Sequence, residues 1–358
     1  MKKVAIIIPA HNEEKVIKAT IVAAIAVAGR TNVYVVDDGS KDKTTLVARK
    51  LTGNVLTLRN NNGKANALNT GISKFKLTKR YKYIMPVDAD TVVARNFFER
   101  VFPIFEEDRK EKIAAVVGKV LGRNKKWITT YRLWEYEINQ AVHKAAQSML
   151  GAITVCPGPS TVYRSRVFDK LKYSADTQTE DMDFTFKIHR KRLGKIVYES
   201  SATVSTQDPA TIYAYIGQLK RWYSGFWQCI LKHKVPWGGQ KLDAEAGLLA
   251  TDALLNVLLA VLFVVLVPAS FILDPMVLIS PVVADLVIFM LPSILFVSIR
   301  RRLYKLILLL PLFYMLRIIG SFVFFYSFFK ITLGIRVRAS SSWNTSRYRV
   351  MKEEIWVS

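Results

Sequence analysis

Cysteine is scarce in this chain of 358 residues: Cys156 and Cys229 are the two that occur. Two cysteines make no disulfide framework and suit a reducing compartment. The four histidines, His11, His143, His189 and His233, are scattered too widely for a zinc site. Acidic residues are short as well, 28 Asp and Glu against 52 Lys and Arg, for a formal charge of +24. That imbalance calls for an anionic partner: nucleic acid, a lipid surface or a phosphorylated substrate. Nucleic acid is excluded by pattern, because the basic residues are not interleaved with aromatics. Many flank apolar stretches instead, as in Arg300-Arg301-Arg302 and Lys330 to Arg338. This arrangement suits the positive-inside rule and anionic lipid headgroups. Both common glycine-rich phosphate loops are missing. Pro9-Ala10-His11-Asn12-Glu13 stands where G-x-G-x-x-G would, and Gly63-Lys64 lacks the upstream Gly and following Ser/Thr of a P-loop. No signal-peptide pattern precedes Val4, so the first domain is expected to begin at once, in the cytosol.

What is present is an alternation of apolar runs and helical patterns. Val4 to Ile8, Asn32 to Val36, Asn54 to Leu58 and the run from Tyr83 predict strands. Helical patterns follow each of the first three, to about Ala28, over Lys43 to Leu51 and over Lys64 to Phe75. Asn60-Asn61-Asn62-Gly63 is a turn by composition. Alternating β and α elements imply a mostly parallel sheet covered by helices. The fourth apolar run ends abruptly in Asp88-Ala89-Asp90. Carboxylates at the C-terminal tip of such a strand lie where open α/β sheets place their sites. Asp-x-Asp offers hard oxygen ligands suited to Mg²⁺ or Mn²⁺, with substrate phosphates completing the shell.

Taken in order, Pro9-Ala10-His11-Asn12-Glu13, Asp37-Asp38-Gly39-Ser40, Gly63-Lys64-Ala65-Asn66-Ala67-Leu68-Asn69 and Asp88-Ala89-Asp90 resemble the family 2 glycosyltransferases of the GT-A fold. Thr179-Glu180-Asp181 and Gln218-Leu219-Lys220-Arg221-Trp222 extend the likeness, the latter fitting the Q-x-x-R-W of the membrane-bound processive branch. Val155-Cys156-Pro157-Gly158-Pro159, Val162-Tyr163-Arg164 and Trp343-Asn344-Thr345-Ser346-Arg347 are similar to the hyaluronan and chitin-oligosaccharide synthases. The resemblance implies transfer of a sugar from a UDP-sugar to a glycan acceptor, with UDP-N-acetylglucosamine the donor that the branch suggests. It implies Asp181 as the base, and Asp90 as direct metal ligand with Asp88 on the nucleotide side. Pro9, Ala10, Glu13, Asp37, Asp38 and Lys64 would line the nucleotide, with Asp37 or Asp38 on the uridine. Glu180, Gln218, Arg221 and Trp222 would line the acceptor or meet the diphosphate, and Trp343, Thr345 and Arg347 would gate the site. One base suffices, because a neutralised diphosphate leaves without a general acid.

Trp127 to Leu150 predicts a long packing helix, and Thr211 to Lys232 an amphipathic helix at a membrane surface. Gly247 to Leu273 and Met276 to Ile299 are each long enough to span a bilayer, with Asp252 and Asp285 costly inside them unless they face protein or water. Leu303 to Phe329 is a third such stretch, interrupted by Pro311, Arg317 and Gly320. If Trp343 to Arg347 reaches a cytosolic site, the number of crossings must be even. The expected organisation is therefore a cytosolic α/β domain over 1–205 and an interfacial helix region over 206–246. Two transmembrane helices over 247–299, an interfacial or re-entrant segment over 300–333, and a gating segment and tail over 334–358 follow. That places the chain in the plasma membrane as a multi-pass protein. Two spans are too few to wall off a polymer channel, so either the product is not translocated or its translocation requires a homo-oligomer. A polysaccharide synthase is favoured over a transferase that adds one sugar to a lipid carrier, because of Q-x-x-R-W. It is favoured over a non-enzymatic saccharide-binding module because Asp88, Asp90 and Asp181 are all present.

Overall fold

The computed structural model describes residues 2–123, 127–269 and 283–334. Eight strands form one sheet in the order β3-β2-β1-β4-β7-β6-β8-β5. They are β1 (Lys2–Ala10), β2 (Val33–Asp37), β3 (Val55–Thr57), β4 (Tyr81–Pro86), β5 (Val92–Val93), β6 (Ile113–Gly122), β7 (Thr161–Arg164) and β8 (Lys195–Thr206). The first four pair in parallel, with Ala10 opposite Asp37 and Ile7 opposite Pro86. Their carboxyl ends therefore share one edge. β7 runs antiparallel to both β4 and β6, so the sheet is mixed rather than purely parallel.

Buried on both faces, β1 still sorts its side chains by the period of two. Ala5 and Ile7 enter one apolar layer with Tyr34, Val36, Ile84 and Phe184. Val4, Ile6 and Ile8 enter the other with Val33, Val35, Met85 and Phe97. Each such aliphatic side chain, fully buried, contributes about 1.5–3 kcal/mol. Helices α1 (Ile17–Ala28), α2 (Thr44–Leu51), α3 (Lys64–Lys74), α4 (Leu77–Arg80) and α5 (Phe97–Glu107) cover the sheet as the alternating pattern requires.

The long helix expected over Trp127 to Leu150 is α6 (Trp127–Ile138), a π-helical turn (Asn139–Lys144) and α7 (Ala145–Leu150). After α8 (Arg166–Lys170) and α9 (Glu180–Arg190) comes α10 (Ile212–Lys232), opened by the Thr211 hydroxyl accepting from Ala214 N at 3.2 Å. The aromatics of α10 are mostly covered by protein. Tyr215 packs on Tyr131, and Trp227 on Phe324 and Phe328.

Among the described residues, three helices are long and apolar enough to cross a membrane: Lys241–Val265, Val283–Arg301 and Tyr304–Thr332. Both ends of the first pair are tied to the α/β domain. Near the start of α11 (Lys241–Ala269), Asp243 takes both Arg190 guanidinium nitrogens, at 2.5 and 2.6 Å. At the end of α12 (Leu291–Arg301), Arg300 and Arg301 converge on the buried Glu137 of α6, so two of the three arginines expected on lipid headgroups bind protein instead. Asp285 pairs with Arg317 at 2.8 Å, which settles the cost of both charges. The helix α13 (Leu310–Thr332) runs unbroken through Arg317 and Gly320. Pro311 sits in its first turn, where no backbone N–H is lost, and Arg317 is neutralised by its partner.

Candidate active site

The carboxyl edge of β1, β2 and β4 carries the motifs singled out in the sequence. Pro9 and Ala10 end β1, and the turn beyond them is held by hydrogen bonds. His11 Nδ1 lies 2.8 Å from the Asp38 carbonyl, and Asn12 N donates to Ser40 Oγ at 2.8 Å. Glu13 is buried, its N–H donating to Thr44 Oγ1 at 2.7 Å. At the tip of β2, Asp37 accepts from Ser40 N at 3.0 Å and from the Thr45 hydroxyl. Asp38 is fully buried and accepts from Asn62 N at 3.1 Å and Gly63 N at 2.7 Å. Burial pushes its carboxyl above the usual range, against those N–H groups and the nearby His11. Asp38 thus fixes the Asn60–Gly63 turn, whose Gly63 at φ +86° opens α3 in a conformation that needs glycine.

Lys64, the first residue of α3, is where three elements meet. Its Nζ lies 2.6 Å from Asp88 beyond β4 and 2.9 Å from Glu180 at the start of α9. Burial disfavours its charge, yet Asp88, Glu180 and Asp181 outweigh that and raise its pKa. Asp181 sits one residue on, accepting from Met182 N at 2.8 Å and Gly158 N at 3.4 Å. Burial and the like charge of Glu180 push its carboxyl up, while Lys64 and Arg221 pull it down. A carboxylate held between such opposing influences is a suitable proton acceptor. Asp90 is buried and accepts from Thr206 Oγ1 at 3.3 Å, where β8 ends.

Arg221 is therefore brought to the site from α10. On the same helix, the Trp222 ring carries the Arg132 guanidinium 4.7 Å from its centroid. Gln218 has a buried side-chain oxygen with no partner among the described residues. Trp343, Thr345 and Arg347 lie outside the described residues. Asp183, which the sequence left undecided between a site and a structural role, is fully buried and accepts from His233 at 2.9 Å and Lys232 at 2.9 Å, bolting α9 to α10. Sequence reasoning missed Lys144, buried beside the turn that holds Asp181. The signal for Lys144 was there: Glu137, Gln140, Lys144 and Gln147 form a polar stripe at helical spacing.

Residues 5–172 match the family described as Glycosyl transferase family 2. A poly-beta-1,6-N-acetyl-D-glucosamine synthase of Staphylococcus aureus (strain COL) is 29% identical over 239 residues, covering 65% of this chain and 56% of that protein. Its counterpart in Staphylococcus epidermidis is 29% identical over 237 residues, covering 64% and 56%. The chain thus spans little more than half the length of these curated relatives. A solved mannosyltransferase from Pyrobaculum calidifontis, in complex with GDP-Man and Mn2+, has a TM-score of 0.61 at 16% identity, covering 92% of this chain and 86% of that one. That likeness is one of fold, and it agrees with the mixed sheet and flanking helices of the GT-A type. Over residues 5–172 this chain is similar to Glycosyl transferase family 2.

Proposed function

We propose that the chain is a membrane-bound inverting glycosyltransferase that moves a sugar from a UDP-sugar to the end of a β-linked glycan. The observation that carries this is the convergence of Asp88, Glu180 and Asp181 on Lys64 at the carboxyl edge of the sheet. Asp181 accepts the proton of the attacking hydroxyl, which is too weak a nucleophile without a base. Lys64 and Arg221 face the diphosphate and oppose its negative charge. Asp37 and Asp38 border the nucleotide. The unpartnered oxygen of Gln218 accepts from a glycan hydroxyl. N-acetylglucosamine is the sugar suggested by the names of the Staphylococcus relatives.

A divalent cation fits the residues present. Asp88 and Asp90 supply hard carboxylate oxygens one residue apart, and no group of three or more His, Cys, Asp or Glu forms a cage among the described residues. That is the donor set for Mg²⁺ or Mn²⁺, which take one or two carboxylates and fill the shell with water and phosphate. When bound, the ion neutralises charge growing on the leaving diphosphate.

The α/β domain is placed in the cytosol, where nucleotide sugars are supplied. Lys241–Val265 and Val283–Arg301 cross and return, a reading supported by the ties of Asp243 and Arg301 to the same domain. The following helix lies along α10, supported by Phe324 on Tyr223 and Trp227. A second reading is addition of a single sugar to a membrane acceptor. A panel of labelled UDP-GlcNAc, UDP-glucose and GDP-mannose, followed by product sizing, tests both. Polymer from one UDP-sugar supports the first reading, a single addition the second, and no transfer from any donor refutes the enzyme.

A further inference from the structure

The inward polar stripe of α6, the π-helical turn and α7 consists of Glu137, Gln140, Lys144 and Gln147, all buried. Three of these have plain structural tasks. Glu137 takes Lys119 at 2.8 Å together with Arg300 and Arg301. Gln140 pairs with the Val120 backbone, accepting at 2.7 Å and donating at 2.8 Å. Gln147 donates to Glu245 at 3.0 Å.

Lys144 differs from them. Its Nζ donates to the Val155 carbonyl at 2.9 Å, at the start of the turn that ends in Gly158. The Gly158 N–H then donates to Asp181 Oδ2 at 3.4 Å. Between them, Cys156 N donates to Thr185 Oγ1 at 2.9 Å, and that hydroxyl donates to the Asp181 carbonyl at 2.7 Å. A lysine buried without an opposing charge is costly. Burial lowers the Lys144 pKa to about 8, and the Asp181 charge is among those that resist the fall. The lysine sits on a π-helical turn, a distortion common at functional sites.

We propose that Lys144 is a positioning residue for Asp181: it fixes the 155–158 turn against that carboxylate and lends it a positive charge that holds the base ionised. This rests on Asp181 being the proton acceptor. Among the described residues, the other charges facing Asp181 are Glu180 on its own helix, Lys64 on α3 and Arg221 on α10. Burial pushes Cys156 up to about 11 and Cys229 up to about 12, and raises Tyr163 and Tyr173, so these neighbours stay neutral while Asp181 titrates.

Three substitutions separate charge from scaffolding. Lys144→Arg keeps the charge, Lys144→Gln keeps a donor for Val155 without charge, and Lys144→Met keeps neither. The acid limb of kcat/KM for transfer is expected to stay in place for Lys144→Arg. It is expected to move up by about one pH unit for Lys144→Gln and Lys144→Met. A limb in Lys144→Gln that coincides with the unsubstituted chain overturns the inference. A second arm reads the coupling without any sugar transfer. Melting temperatures of Lys144→Gln, Asp181→Asn and the double variant form a cycle at neutral pH. Lys144→Gln should destabilise the chain by several degrees more when Asp181 is present than when it is Asn. Additive shifts overturn the inference. A chain that transfers no sugar refutes the proposed function, and the melting cycle still decides the role of Lys144.

Discussion

Replacing Lys64 by methionine removes a cation that Asp88 holds at 2.6 Å and Glu180 at 2.9 Å, with Asp181 close by. Breaking a buried pair by deleting one partner costs roughly 3–5 kcal/mol. The Lys64 side chain is 21% exposed, so solvent screening reduces the expected cost to about 2–3 kcal/mol. At ~2–4 °C per kcal/mol for a domain of this size, the melting temperature should fall by about 4–12 °C at neutral pH. The pH dependence has a definite sign. Without Lys64 the three carboxylates repel, and Asp181, already raised by burial, loses a charge that lowers it, so its folded pKa rises further above the unfolded value. The folded variant then binds more protons than the unfolded one, so its stability falls as pH rises through the folded values. The gap from the unsubstituted chain should be full at neutral pH and should narrow in acid as Asp181 is protonated. Tryptophan-fluorescence melts in detergent from neutral to acid pH make the measurement. An unchanged melting temperature at neutral pH, or a gap that ignores pH, would refute the idea that Lys64 binds these carboxylates together.

Three further outcomes follow from the same geometry. Asp183 is buried, a condition that raises its pKa, but hydrogen bonds from His233, Lys187 and Lys232 carry it well below the usual range. Its stabilisation is present above the unfolded value and is lost as pH falls through the folded one. Asp183→Asn should therefore cost about 3–5 kcal/mol at neutral pH, with the difference in melts closing only in strong acid. A β-carbon at Gly158 would stand 2.8 Å from Lys64 Nζ and 3.6 Å from Asp88 Oδ1. Gly158→Ala should displace that pair at about 1–3 kcal/mol and lower transfer roughly 10–100-fold, and wild-type kinetics would show that the pair is not held as described. Cysteines introduced at Lys3 and Gly334 should both label from the cytosolic face, and opposite-sided labelling would reject the two-crossing arrangement.

The first half of the sheet was legible because Val4 to Ile8 and Val33 to Val36 are continuously apolar, as strands buried on both faces must be. Asp88, Asp90 and Asp181 were legible through the order of their motifs. Their joint partner was not. Lys64 meets Glu180 only because β4, β7 and α9 stack in space, and no local pattern encodes that. Arg300 and Arg301 read as a lipid-facing run, since a charge cluster beside an apolar helix carries no sign of a buried Glu137 waiting opposite it. The π-helical turn at Asn139–Lys144 was equally hidden, because one extra residue in a turn leaves no compositional trace.

The central claim is that Asp181 serves as the base in transfer from a UDP-sugar. It is tested most directly by incubating the purified full chain in lipid nanodiscs with labelled UDP-GlcNAc and Mn²⁺. Glycan product and released UDP are then measured for the unsubstituted chain, for Asp181→Asn and with EDTA present. The account predicts glycan product from the unsubstituted chain and its loss, by roughly 10²–10⁴-fold, in Asp181→Asn. It also predicts loss of product on EDTA treatment. Product formation by Asp181→Asn at the unsubstituted rate would contradict it.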